Sequence, residues 1–176
     1  GNKLTTLPES IAALTQMKKL SLTSNKFTTF PQPIVKLTSL TVLSFSSNQL
    51  VTLPGSIAAL TALETLYLSN NRLVTLSDSI AALTALKTLY LGGNKFTTLP
   101  KPIVKLTSLT ELSLNSNQLV TLPDSMAALT ALKELYLGGN KLVTLPDSIA
   151  ALLSLKTLNL YNNPLAKPQA SAVEAW

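Results

Sequence analysis

Asparagine returns every 23 residues along this chain, at Asn2, Asn25, Asn48, Asn71, Asn94, Asn117, Asn140 and Asn163. A fixed period of that length is the mark of a solenoid, in which each unit buries its apolar side against its neighbours. Within one unit, Leu89-Tyr90-Leu91 alternates with period two, which predicts a short strand with leucine inward and tyrosine outward. After Asn94 the apolar spacing lengthens to about three, through Phe96, Leu99, Ile103 and Leu106, and Pro100 opens a short helical or extended return segment. Each unit is therefore a strand, a corner, a return path and a second corner. Stacking places the strands side by side, parallel and about 4.8 Å apart, with right-handed connections. Ile80, Leu83, Leu86 and Leu89 also fit one face of a helix. A 23-residue unit is too short for a packed helix pair, however, and the recurring prolines would break a continuous helix.

Composition excludes whole classes of chemistry. Hydrophobic residues make up 46% of the 176 and charged residues 12%, enough to build a core, yet no apolar run is long enough to span a membrane. There is no Cys and no His, which removes disulfides, thiol nucleophiles, the usual zinc sites and any mechanism that needs imidazole as a base. No cofactor or metal set is expected. Leu91-Gly-Gly-Asn94-Lys95 lacks the spacing of a phosphate-binding loop and recurs at Leu137 to Lys141, so it reads as a strand-to-corner turn.

The frame Leu109-x-x-Leu112-x-Leu114-x-x-Asn117-x-Leu119-x-x-Leu122-Pro123-x-x-Met126-x-x-Leu129 resembles the 23-residue intracellular type of leucine-rich repeat. It is similar to units of Ras-associated scaffolds, plant intracellular Ras-group-related proteins, Roco proteins and many bacterial proteins. The fold this implies is an α/β right-handed solenoid or horseshoe, with a parallel concave sheet and short helical or 3-10 convex segments. The resemblance also implies a structural ladder, in which Asn25, Asn48, Asn71, Asn94, Asn117, Asn140 and Asn163 bond backbone groups of their own and adjacent turns. An amide suits that place because it both donates and accepts. The implied function is a non-catalytic protein-binding module. The alternative is a regulatory or substrate-recruiting domain of a larger enzyme: a kinase, a Roco-type GTPase or a bacterial effector ligase. The expected compartment is the cytoplasm, or outside the cell for a secreted bacterial effector.

Residues 1–176 read as one domain of about seven and a half repeats. The chain starts in mid-repeat, so the expectation is a fragment, or a protein whose first turn is covered by another segment or partner. Residues 164–176 read as a cap-like segment, with Val173 and Trp176 spaced to touch the last turn. Exposed solenoid ends can also pair end to end. Phe27 to Asn71 closely matches Phe96 to Asn140, which points to block duplication and to a generic scaffold. Ser77 stands where other units have proline, and Pro31-Gln32-Pro33 and Pro100-Lys101-Pro102 predict local changes of convex geometry.

Outward strand positions define the candidate site. They carry Tyr67, Tyr90, Tyr136 and Tyr161 with Glu111 and Glu134. Tyr67 and Tyr90 are expected side by side, Glu111 and Glu134 on neighbouring strands, and Gly92 and Gly138 are expected to leave room for a partner's side chain. Tyrosine serves as an interface anchor because it buries much area at small entropic cost. Lys87, Lys133 and Lys156 share a strand-edge column with Lys18 and Glu64, a means of steering an acidic partner. The net charge is +6, and a second basic column, Lys3, Lys26, Arg72, Lys95 and Lys141, follows the asparagines. It is broken by Gln49 and Gln118 and has no interleaved aromatics, so a protein or peptide partner is favoured over nucleic acid. The two glutamates lie on an open face and are expected to act as surface or contact charges rather than as a catalytic pair.

Overall fold

A computed structural model describes residues 2–166. The expected cap, with Val173 and Trp176, lies almost wholly outside the described residues.

Among the described residues, seven three-residue strands form one parallel sheet in chain order. They are β1 (Lys19–Ser21), β2 (Val42–Ser44), β3 (Thr65–Tyr67), β4 (Thr88–Tyr90), β5 (Glu111–Ser113), β6 (Glu134–Tyr136) and β7 (Thr157–Asn159). Leu20 faces Leu43, which faces Leu66, and so on to Leu158, so the sheet register equals the sequence repeat. A shift by one residue would turn this leucine row outward, and burial therefore fixes the register.

Opposite the strands, the described residues form seven short 3-10 helices: η1 (Glu9–Ala13), η2 (Gln32–Lys36), η3 (Gly55–Ala59), η4 (Asp78–Ala82), η5 (Lys101–Lys105), η6 (Asp124–Ala128) and η7 (Asp147–Ala151). Proline stands immediately before six of them, in extended or near-extended backbone, and ends the preceding segment. At η4 the place is taken by Ser77, whose hydroxyl accepts from the Ser79 amide at 3.3 Å and caps the turn instead. Bulkier turns change the convex side at η2 and η5, where Val35 and Lys36, and Val104 and Lys105, replace the alanines of the remaining units.

The core lies between the two layers. Leu66, Leu68, Leu73, Leu83, Leu86 and their equivalents in the central turns are fully buried. Early turns use larger side chains, and Phe45 packs edge-on to Phe27 with ring centres 5.6 Å apart. No helix among the described residues is long and apolar enough to cross a membrane.

Candidate protein-binding face

The corner after each strand decides how the sheet face is held. The residue before each corner asparagine has a positive φ, at Ser24, Ser47, Asn70, Gly93, Ser116, Gly139 and Asn162. That left-handed step turns the chain sharply and points the next side chain inward. Asn94 shows the result: its Nδ2 donates to the carbonyls of Leu91 (2.9 Å) and Leu68 (3.0 Å), and its Oδ1 accepts from the Leu73 amide at 3.0 Å. The same three bonds recur at Asn48, Asn71, Asn117, Asn140 and Asn163. Asn25 accepts from Leu4 and donates to Leu22 and Thr23, without a bond to an earlier turn's leucine carbonyl. Asn25 through Asn140 are 7–8% exposed, so these bonds satisfy backbone groups that water barely reaches.

On the concave face of the sheet, Tyr67 of β3 and Tyr90 of β4 lie in register, ring centres 5.1 Å apart and planes at 74°. This edge-to-face contact is a favourable arrangement for two rings. The Tyr90 hydroxyl donates to Glu111 Oε1 on the next strand. Tyr136 donates to Glu134 Oε2 on its own strand. Burial and then the Glu111 hydrogen bond push the Tyr90 phenol well above its usual range. At Tyr136 the Glu134 bond comes first and burial second, in the same direction. Glu111 and Glu134 are register partners on β5 and β6. Both phenols thus stay neutral as donors and fix one oxygen of each carboxylate.

Tyr161 stands apart from the other three. It follows β7, is 61% exposed, and its ring lies against Gly138, where an added Cβ would overlap it. The room expected beside Gly138 is therefore filled by this chain's own tyrosine. Gly92 is also buried, and a Cβ there would sit 3.2 Å from the Asn115 carbonyl oxygen. Neither glycine forms a receiving notch, because in a stacked solenoid the next turn packs where the missing side chain would be. Lys87 donates to Glu64 at 2.9 Å, the one ion pair among the described residues, whereas Lys133 and Lys156 are exposed beside β6 and β7. The tyrosine–glutamate bonds are the feature that sequence reading missed. Their signal was a tyrosine at the end of one strand with a glutamate opening the next, as at Tyr90 and Glu111, which places the two diagonally. No group of His, Cys, Asp and Glu among the described residues has the arrangement to hold a metal ion.

The family model described as "Leucine rich repeat" matches residues 15–73, 61–119 and 107–165, each match beginning two turns after the last. Among solved structures, the chain is similar to an internalin (inlF) from Listeria monocytogenes, with 30% identity and a TM-score of 0.79, covering 94% of this chain and 48% of that one. An internalin C2 (inlC2) from the same organism gives 30% identity and 0.80, covering 94% and 70%. A PEPR1–AtPEP1 structure gives 36% identity and 0.77, covering 91% and 23%. The chain thus spans about half the length of the inlF protein. No curated protein matches it.

Proposed function

The chain belongs to the leucine-rich repeat family, whose members typically serve as non-catalytic interaction modules, and from that premise we propose that it binds a protein or peptide partner on the concave face of its sheet. The observation that carries this reading is the Tyr67–Tyr90 pair tied to Glu111. Two half-buried rings already held by each other and by a carboxylate have little rotamer freedom left to lose on binding. They offer a rigid apolar surface with an anionic edge, while exposed Lys133 and Lys156 supply the opposite charge on the β6–β7 side. A partner that places an apolar side chain over the two rings and polar groups along Glu111, Glu134 and these lysines complements the face. The similarity to the PEPR1–AtPEP1 structure supports a peptide-sized partner.

The test compares capture of partners from a lysate of the source cells by the native chain and by a Tyr67→Ala, Tyr90→Ala, Tyr136→Ala variant whose fold is checked by circular dichroism. Truncating an anchoring tyrosine costs on the order of 2 kcal/mol of binding, so a partner held by the native chain should be lost from the variant. Equal capture by both would move the binding surface away from the sheet.

A further inference from the structure

A cleft of about 550 Å³ opens on the convex side between η5 and η6. Its apolar walls are Leu99, Val104 and Pro123, and Lys101 and Lys105 stand at its rim, with the Ser125 hydroxyl on the facing turn. The duplicated block differs here in one polar contact. One block earlier, Gln32 occupies the place of Lys101, and its Oε1 accepts from the Ser56 hydroxyl at 3.1 Å, latching η2 to η3. Between η6 and η7 the same latch forms from Ser148 to Asp124 at 3.0 Å. Lys101 has no acceptor to offer Ser125, and no bond joins them. Pro123 is exposed where Pro54, its counterpart, is half-buried.

We propose that this cleft is a second binding site, and that it takes an extended acidic peptide segment of a partner protein, with two carboxylates separated by one residue. No carboxylate lines the cleft, and the nearby Asp124 is engaged by Ser148 on the side of η7. The two ammonium groups therefore have no ion-pair partner among the described residues and favour anions. Geometry sets the spacing. Lys101 and Lys105 are the first and last residues of η5, four 3-10 rises or about 8 Å apart along its axis. Alternate residues of an extended peptide point to one side about 7 Å apart. Two carboxylates on such a segment meet the two lysines, while apolar groups rest on Leu99, Val104 and Pro123. The lining holds no aromatic ring on which a nucleobase would stack, and Asp124 and Asp147 on the following turns oppose an anionic bilayer.

The experiment is a titration of the 15N-labelled chain with the blocked peptide acetyl-Glu-Leu-Glu-Leu-amide, with its Gln-Leu-Gln-Leu counterpart as control. Saturable shifts confined to the amides of residues 98–105 and 121–125 are expected with the first peptide, and binding about tenfold weaker with the second. Lys101→Gln should lower affinity by about the same factor, because it removes one of the two ammonium groups. Spectral overlay away from the cleft verifies that the variant folds, and the neutral peptide tests the idea on the native chain alone. Equal binding of the two peptides, shifts elsewhere, or no saturable shift would overturn the proposal. So would vesicles of phosphatidylserine or a short single-stranded oligonucleotide competing the peptide off, which would reassign the cleft to a lipid or to nucleic acid.

Discussion

At Asn94 a single amide serves three backbone groups from three places along the chain, Leu68, Leu73 and Leu91. Asn94→Ala strands all three in a corner that water barely enters, and we expect a loss of about 1 to 3 kcal/mol in urea denaturation. A urea midpoint unchanged by Asn94→Ala would mean that these bonds contribute nothing to stability. The Tyr90 phenol makes a pH-dependent prediction. Its folded value lies above the 10.0 of an unperturbed tyrosine, chiefly through burial and then through Glu111. A raised value means that the folded state holds its proton more tightly, so this stabilisation is whole below the unfolded value and is lost as pH climbs through the folded one. Glu111→Gln removes the carboxylate and leaves the burial. Tyrosinate absorbance should then appear at lower pH in the variant, though still above the ordinary range, and an unmoved titration would refute the Tyr90–Glu111 bond.

At the scale of the elements, the left-handed residue before each asparagine offers a direct test of corner strain. Ser47 adopts φ 57°, a region that costs an L-residue roughly 1 kcal/mol and glycine little, so Ser47→Gly should stabilise the chain by up to about that amount. Gly93→Ala should destabilise it, because the new Cβ would also run into Asn70. Thermal melts of the two variants moving the same way would contradict this account. The elements themselves were largely legible: leucines two apart gave the strands, their 23-residue recurrence gave the parallel order, and the prolines marked where the 3-10 turns begin. The candidate face was legible only as a column of outward residues. Alternation says that Tyr90 and Glu111 face the same way, but not that one donates to the other, since that depends on the diagonal offset between strands. The glycines misled for a related reason. A missing side chain reads as free space along one strand, whereas the next turn fills it, as Tyr161 does over Gly138. The cleft at η5 was likewise out of reach, because side chains of two successive turns, Leu99, Val104 and Pro123 among them, form it together.

Over the whole molecule, each turn touches only its neighbours, so stability is a sum of local terms and is greatest where both sides are covered. The described chain displays this gradient. Leu66, Leu89, Leu112 and Leu135 of the central strands are fully buried, whereas Leu20 of β1 and Leu158 of β7 are only partly so. Leu112→Ala should therefore cost about 2 to 5 kcal/mol, as for a fully packed core position, and Leu158→Ala distinctly less. Amide exchange should follow the same order, slowest at β3 to β5 and faster at β1 and β7, where the strand leucines are less covered. The tyrosine pair of β3 and β4 and the cleft between η5 and η6 both fall within or beside this protected centre. A contact surface there needs no ordering of its backbone before a partner arrives. Uniform exchange along the sheet would mean that the chain unfolds as one cooperative block, and the placement of both surfaces near the centre would then carry no energetic advantage.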